Sequence, residues 1–274
     1  MDVKQPATPS TAAAPIAIVL AAGKGTRMGS DLPKVLAEAA GRPLVSWVLD
    51  ALAAAGIRDR IVVVGYRAEL VRAALAGLPG VSFAVQREQR GTGDAAAAAA
   101  GLVAERIAAT PPGVSRPVVI VCGDSPMLRP ASVTGLLSQF AARGAACLLG
   151  TAVTHDPAGL GRIVRGPDGV FHRIVEEKDA TPEERRIVEV NMSTYVFEAR
   201  DLLHALDRLD NANASGEYYL TDCPGLLLRE GRPVDAVACL DASETLSVNT
   251  PEQLADRKST RLNSSHANIS YAVF

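Results

Sequence analysis

The chain has 274 residues, and 48% of them are hydrophobic, which is enough to bury a core in one large domain or two small ones. Its formal net charge of −2 excludes the overall positive field that holds nucleic acid or an anionic membrane non-specifically. The four cysteines are scattered singly, without zinc-site spacing or the density of a disulfide scaffold. Residues 1–14 lack the apolar stretch of a signal peptide, so we expect them to form a flexible N-terminus of a cytoplasmic protein. From the net charge we expect no nucleic-acid or membrane partner.

From residue 16 onward, short β-branched runs alternate with stretches rich in alanine and leucine. Four runs predict strands, each apolar enough to be covered on both faces: Ile16–Leu20, Ile61–Val64, Val81–Val85 and Val118–Val121. The stretches between them predict helices near 43–55, 67–77 and 94–108, with Asp94 as the cap of the last one. This alternation is typical of an α/β fold with a mixed, mainly parallel sheet flanked by helices.

After residue 150 the pattern changes to β-ribbon-like stretches around 162–176 and 189–197. We interpret them as a small β-rich elaboration of the second half, within one domain over residues 15–256. The last stretch, 257–274, is dense in serine, asparagine and arginine and has no apolar periodicity. It resembles a translated adapter sequence, so we expect a non-native or disordered tail and leave it out of the functional reasoning.

The loop after the first predicted strand lies at the carboxyl end of the sheet, where open α/β folds bind ligands. Gly23 and Gly25 allow backbone amides to approach a phosphate. Cations that can neutralise a triphosphate follow within eleven residues: Lys24, Arg27 and Lys34. Two other nucleotide motifs do not fit, because a Walker loop needs glycine where Ile18 stands and a dinucleotide loop needs glycine where Met28 stands.

Seven motifs follow one another along the chain: LAAGKGTRMGSDLPKVL from 20, QREQRGTGDA from 86, CGDSP from 122, GRIVR from 161, IVEEKDA from 174, GEYYLTD from 216 and SVNT from 247. Together they resemble the sugar-nucleotide pyrophosphorylases, most closely the N-terminal uridylyltransferase domain of bifunctional N-acetylglucosamine-1-phosphate uridylyltransferases. The resemblance covers about residues 16–256. It implies a Rossmann-like, GT-A-like nucleotidyltransferase domain that uses UTP, N-acetylglucosamine 1-phosphate and Mg²⁺.

The family's full-length members carry a further β-helix acetyltransferase domain, and this chain has no hexapeptide repeats to build one. We therefore expect only the uridylyl transfer from this chain. Because the β-helix is the element that usually trimerises the family, we also expect a monomer or a weak dimer.

The resemblance also implies roles for particular residues. It assigns Arg27 and Lys34 to catalysis as cations that hold the triphosphate and the leaving pyrophosphate. It assigns nucleotide binding to Leu20, Ala21, Ala22, Gly23, Lys34, Gln86, Gly91 and Thr92. It assigns the sugar to Gly161, Glu176 and Asn191, although Glu176 and Asn191 alone would pass for ordinary polar residues at strand ends.

Asp124 and Asn249 are the implied magnesium ligands. Asp124 follows an apolar strand and Gly123, so its carboxylate is expected at the ligand-binding edge of the sheet. A turn or helix cap is the structural alternative for Asp124, and the cap of a helix beginning at Pro251 is the alternative for Asn249.

Four residues depart from the family pattern: Cys122, Asp94, Leu160 and Ser247 stand where tyrosine, histidine, tyrosine and glycine are frequent. They leave the sugar open, and Gln86 does not separate uracil from thymine. The alternatives are therefore a related enzyme that uses another sugar 1-phosphate or dTTP, or a nucleotide-sugar-binding regulatory module without turnover. Retention of the phosphate cations and both metal ligands favours an enzyme.

Overall fold

The computed structural model describes residues 12–25, 31–213 and 215–245. Its centre is a nine-stranded mixed sheet. The strands of this sheet are β1 Ile16–Ala21, β4 Asp59–Val64, β5 Val81–Val85, β6 Pro117–Cys122, β7 Cys147–Val153, β8 Arg162–Arg165, β9 Phe171–Val175, β10 Glu189–Glu198 and β11 Val234–Ala238. Their order is β11-β7-β10-β6-β1-β4-β5, and β8 and β9 extend the sheet from β10. A separate small hairpin is formed by β2 Glu38–Ala39 and β3 Arg42–Pro43.

Seven α-helices surround the sheet in the described part of the chain: α1 Leu44–Ala54, α2 Ala68–Ala74, α3 Thr92–Ala98, α4 Ala100–Ala108, α5 Pro130–Arg143, α6 Ala199–Leu206 and α7 Asp222–Arg229. Among the described residues, no helix is long and apolar enough to cross a membrane.

Both faces of the sheet are buried, because successive residues of a strand point to opposite sides. In β1, Ile16 and Ile18 pack into one core cluster with residues of α3, α4, α6 and α7. Ala17 and Val19 pack into the other cluster with residues of α1, α2 and α5. All four of these side chains are 0% exposed. Coverage on both faces is the reason that these strands read as continuous apolar runs.

The predicted α/β fold, with a mixed, mainly parallel sheet flanked by helices, is confirmed. β1 pairs in parallel with β4 and β6, and β4 pairs in parallel with β5. The second half adds the antiparallel strand β10 between β6 and β7. The predicted β-rich elaboration is present as the β8–β9 ribbon, which joins β10 through the pair Val190 and Arg162.

The prediction for the helix at 94–108 was wrong in two respects. The chain forms two helices, α3 and α4, separated at Ala99. The first begins at Thr92 after Gly91, whose φ of 113° turns the chain into the helix, so Asp94 lies in the first turn and is not the cap. The alanine run favours helix everywhere equally, so the start is set by the glycine turn and not by Asp94.

Candidate active site

A cleft of about 310 Å³ opens at the carboxyl ends of β1 and β6. Such sheet edges are where α/β folds bind ligands. All eight predicted nucleotide-binding residues line this cleft together with Asp124: Leu20, Ala21, Ala22, Gly23, Lys34, Gln86, Gly91 and Thr92, of which Lys34 is also a predicted catalytic cation. The sheet therefore brings together residues that are separated by up to about a hundred positions in the sequence.

Lys34 and Asp124 form an ion pair in the cleft, and their side chains are 14% and 18% exposed. Lys34 begins the short 3-10 helix Lys34–Leu36, and Asp124 follows β6 after Gly123. Gly25, with a φ of 67°, lies directly against the Lys34 side chain, where an added Cβ would be 2.5 Å from the Lys34 Cβ. The glycine loop therefore packs beside this cation, which is partly shielded from water.

Two predicted residues, Arg27 and Asn249, lie outside the described residues. Their assignments to catalysis and to metal binding stay predictions.

Gln86 lies in the wall of the cleft and is 5% exposed. Its Nε2 donates to the Gly91 carbonyl oxygen at 3.0 Å and to Asp94 Oδ2 at 2.9 Å. Arg90 Nη2 donates to the other carboxylate oxygen of Asp94 at 2.9 Å. The negative charge of Asp94, which departs from the family pattern, is therefore compensated by Arg90 as well as by its place in the first turn of α3.

A second cavity of about 220 Å³ adjoins the cleft and contains Glu176. Four residues line both spaces and so form their common boundary: Leu20, Thr92, Cys122 and Glu217. Thr221 Oγ1 donates to Glu176 Oε1 at 2.9 Å. Two ligands bound in these spaces would therefore meet at the end of β1 and β6.

Burial raises the pKa of the Glu176 carboxyl above its ordinary value, and the nearby charges of Asp222 and Asp179 act in the same direction. The hydrogen bond from Thr221 opposes this shift, because it stabilises the ionised carboxylate.

The other two predicted sugar-binding residues lie directly behind Glu176. Asn191 donates its backbone N–H to the Gly161 carbonyl oxygen at 2.8 Å, and its Nδ2 donates to Tyr195 Oη at 2.7 Å. A Cβ on Gly161 would be 3.6 Å from Glu176 Oε2 and 3.5 Å from the Asn191 Cβ. The three residues are thus brought together, although Asn191 is 6% exposed and its amide is already used to hold Tyr195.

The model of the MobA-like NTP transferase domain matches residues 17–218 of this chain. The chain belongs to this family. It is a nucleotidyltransferase, as the sequence motifs predicted.

Several relatives support a narrower likeness. The chain is 46% identical to the bifunctional protein GlmU of Geobacter metallireducens over 240 residues, which are 88% of this chain and 49% of that protein. It is 43% identical to the bifunctional protein GlmU of Limosilactobacillus fermentum over 90% of this chain and 51% of that protein. The chain spans about half the length of these relatives.

Solved structures show the same fold at low sequence identity. A UDP-glucose pyrophosphorylase complexed with UDP-glucose matches with a TM-score of 0.71 and 15% identity over 91% of this chain and 99% of that one. A putative glucose-1-phosphate thymidylyltransferase from Bacillus anthracis matches with a TM-score of 0.68 and 17% identity over 89% of this chain and 94% of that one. The predicted Rossmann-like nucleotidyltransferase fold is confirmed.

Cys122 is the last residue of β6 and lies at the boundary of the two spaces. Burial, helped by the charge of Asp124, raises the pKa of its thiol to about 12. The thiol is therefore neutral at pH 7 and is a poor nucleophile. In this NTP transferase, Cys122 therefore places a small, neutral side chain at the position where the resemblance to sugar-nucleotide pyrophosphorylases leads us to expect the larger tyrosine.

Sequence reasoning missed Glu217 and Gln89, which line the cleft, and Ser193, which lines the second cavity. Glu217 reaches the cleft because Tyr218 donates its backbone N–H to the Arg90 carbonyl oxygen at 2.8 Å. The motifs GEYYLTD and QREQRGTGDA contain Glu217 and Gln89, but they are more than a hundred residues apart and do not show that these side chains meet in one cleft. Ser193 lies in a bulge of β10 with a φ of 49°. Strand patterning in the sequence does not predict this bulge, so it gave no signal for Ser193.

Proposed function

We propose that this NTP transferase moves a uridylyl group from UTP to N-acetylglucosamine 1-phosphate and gives UDP-N-acetylglucosamine and pyrophosphate. The observation that carries the proposal is the pair of adjoining spaces with a shared boundary. The first space contains the Lys34–Asp124 pair and the glycine loop that follows β1, and the second contains Glu176. The choice of these two substrates rests on the motif resemblance and agrees with the relatives of this chain.

The reaction requires a phosphate oxygen of the sugar 1-phosphate to attack the α-phosphorus of UTP. A new bond forms between that oxygen and the α-phosphorus, while the bond from the α-phosphorus to the bridging oxygen of the β-phosphate breaks and pyrophosphate leaves. Positioning and charge neutralisation are the protein's main tasks in such a transfer. The boundary between the two spaces is the region where the two phosphates have to meet.

Lys34 supplies a compact positive charge for the phosphates, and Arg27 is proposed as a second, bidentate one. Asp124 is ion-paired to Lys34, and this pair holds the Lys34 ammonium group in the cleft. Phosphate oxygens of the substrates would compete with the Asp124 carboxylate for this cation.

The donor set suits Mg²⁺, because this ion prefers oxygen ligands and keeps several waters and substrate phosphates in its shell. Among the described residues, no three His, Cys, Asp or Glu side chains are close enough to enclose a metal by themselves. Asp124 would therefore hold Mg²⁺ together with the phosphates, and Asn249 is proposed as the second protein ligand. When bound, the ion would neutralise charge on the triphosphate and on the leaving pyrophosphate.

In the second cavity, Glu176 is proposed to accept hydrogen bonds from the amino sugar, with Gly161 and Asn191 shaping the wall behind it. Thr221 keeps one Glu176 oxygen in place. A deprotonated carboxylate is the stronger acceptor for hydroxyl and amide donors.

The direct test is pyrophosphate release by the purified protein with UTP, dTTP, CTP or GTP. Each nucleotide is paired with N-acetylglucosamine 1-phosphate, glucose 1-phosphate or glucosamine 1-phosphate, with and without Mg²⁺. We expect turnover with UTP and N-acetylglucosamine 1-phosphate and only in the presence of Mg²⁺. A different preferred pair would contradict the proposed substrates, and nucleotide binding without any release would favour the regulatory module.

We also propose that residues 15–256 form the catalytic unit, that 1–14 and 257–274 contribute nothing to it, and that the enzyme works in the cytoplasm as a monomer or weak dimer. The matched family region, 17–218, lies inside this unit. A variant ending at Asp256 should keep the full pyrophosphate release of the 274-residue chain, and a large loss would place part of the unit beyond that residue.

A further inference from the structure

The Gln86 amide group offers only its oxygen to a ligand in the cleft. Its Nε2 already donates to the Gly91 carbonyl oxygen at 3.0 Å and to Asp94 Oδ2 at 2.9 Å. A primary amide has two N–H donors, and these two bonds use both of them.

The orientation of this amide is fixed by chemistry. A backbone carbonyl and an ionised carboxylate only accept hydrogen bonds, so turning the amide over would bring its oxygen against two other acceptor oxygens. Gln86 is 5% exposed, so water has little access to relieve such a contact. The nitrogen therefore faces Gly91 and Asp94.

Gln86 Oε1 is the polar atom that remains. No donor among the described residues makes a hydrogen bond to it, although Gln86 lines the cleft. Oε1 is also absent from the buried atoms that lack a partner in the described part of the chain, so solvent or a ligand reaches it. An acceptor of this kind selects a ligand that carries an N–H or O–H donor.

Asp94 is suited to hold the amide in this orientation because its two oxygens have separate donors. Oδ2 accepts from Gln86 and Oδ1 accepts from Arg90 at 2.9 Å. The Arg90 guanidinium in turn lies over the Tyr218 ring, 5.4 Å from its centroid. Asp94 has a side-chain exposure of 17%, so the network is partly shielded from solvent.

We propose that Asp94 is a positioning residue, which fixes the Gln86 amide so that the cleft selects a pyrimidine with an N3–H over cytosine. This inference rests on the proposed function and deepens it. Uracil and thymine carry N3–H, which donates to Gln86 Oε1, whereas cytosine presents an unprotonated N3 that would face the same oxygen. Asp94 thereby sets the base preference without touching the nucleotide.

The test compares kcat/KM for UTP and for CTP in the wild-type protein and in Asp94→Ala. Without Asp94, one amide N–H loses its partner, and the amide can turn to present a donor to cytosine N3. We expect the UTP-to-CTP ratio to fall by about tenfold, the usual effect of one misplaced hydrogen bond in a shielded site. Alanine is favourable in α3, so the variant should fold.

Glu88→Ala is the matched control. Glu88 also pairs with Arg90, at 3.5 Å, but its side chain is 73% exposed and is not among the residues that line the cleft. This substitution removes a negative charge that pairs with the same arginine, and it should leave the UTP-to-CTP ratio within about twofold of the wild type. Asp94→Asn is a second variant that keeps the side-chain size. Its single oxygen has to serve both Arg90 and Gln86, so the ratio should fall in the same direction.

Dissociation constants for UTP and CTP, measured without a sugar phosphate, separate this inference from the proposed function. Tighter binding of UTP that is lost in Asp94→Ala supports the positioning role even if no sugar 1-phosphate is used. Turnover of UTP and CTP with equal efficiency by the wild type would overturn the inference and leave nucleotidyl transfer intact. An equal loss for both nucleotides in Asp94→Ala, with an unchanged ratio, would also overturn it.

Discussion

At the residue scale, we expect catalysis to depend most on the Lys34–Asp124 pair in the cleft. Asp124→Asn keeps the shape of the side chain but removes the charge that would hold Mg²⁺, so pyrophosphate release should fall on the order of a thousandfold. The fold should survive, because the pair lies in an open cleft and not in the core. Asp156→Asn removes a charge at an exposed position and serves as the control. Near-normal release by Asp124→Asn would remove this residue from the mechanism.

Glu176 predicts a pH dependence for the sugar site. Its raised pKa means that the carboxyl protonates at a higher pH than an ordinary glutamate, so KM for the sugar 1-phosphate should rise as the pH falls through that value. Thr221 donates to this carboxylate and lowers its pKa. Thr221→Val should therefore move the rise in KM to a higher pH, whereas Thr221→Ser should keep the wild-type profile.

The measurement is KM for N-acetylglucosamine 1-phosphate across the acidic range at saturating UTP. KM for UTP should not follow the same shift. A Thr221→Val profile that coincides with the wild type would show that the hydrogen bond does not control Glu176.

The glycine loop and Asp124 could be placed at the ligand-binding edge from residue types near the strand ends, because parallel strands deliver those residues to one edge. The base and sugar residues were assigned only through the motif resemblance. The motif resemblance assigned Gln86 to the nucleotide but did not show which of its polar atoms are available to a ligand. Its N–H groups are used by Gly91 and Asp94, and no pattern in the sequence states which polar group meets which. Asp94 itself was misread as a cap for the same reason.

At the scale of elements, the start of α3 and the residues just before it contact the segment that precedes α7. Gly91 has a φ of 113°, and a Cβ there would lie 2.4 Å from the Tyr218 carbonyl oxygen. Gly91→Ala should therefore lower the free energy of unfolding by about 1–3 kcal/mol and raise KM for the nucleotide, as the loop withdraws from Tyr218.

Gly101→Ala in α4 is the matched control, since nothing lies within 4 Å of its added Cβ. Alanine there should raise the free energy of unfolding by up to about 1 kcal/mol, because glycine is the poorer helix former. Denaturant unfolding measures both variants. Equal effects of the two substitutions would contradict the close approach at Gly91.

The four predicted strands match β1, β4, β5 and β6 because their apolar runs reflect burial on both faces. The predicted helix at 43–55 is α1, and the one at 67–77 is α2. The division of 94–108 at Ala99 was not predictable from helix propensity, since alanine stands on both sides of the break. The strand β10, which lies between β6 and β7 and antiparallel to both, is a tertiary arrangement that strand patterns alone leave open.

At the scale of the whole molecule, the two halves of the chain meet in the cleft. The first half supplies the glycine loop, Lys34 and Gln86, and the second supplies Glu176 and Glu217. Four residues that line the second cavity belong to one segment outside the sheet, which Tyr218 joins to Arg90 and Gly93: Glu217, Tyr219, Leu220 and Thr221. The cleft takes only Glu217 from this segment. We therefore expect the sugar site to be lost before the nucleotide site when the protein is partly destabilised. Calorimetric titrations with UTP and with the sugar 1-phosphate, repeated as urea is raised below the unfolding transition, measure which ligand stops binding first.

The proposed reaction transfers the uridylyl group of UTP, which contains the α-phosphorus, to a sugar 1-phosphate, and two phosphorus labels follow the two products. UTP labelled at the α-phosphorus and UTP labelled at the γ-phosphorus are each incubated with the protein, Mg²⁺ and N-acetylglucosamine 1-phosphate. We expect the α label to appear in the nucleotide sugar and the γ label in pyrophosphate. Appearance of the α label in free UMP, or of the γ label in orthophosphate without added pyrophosphatase, would contradict it.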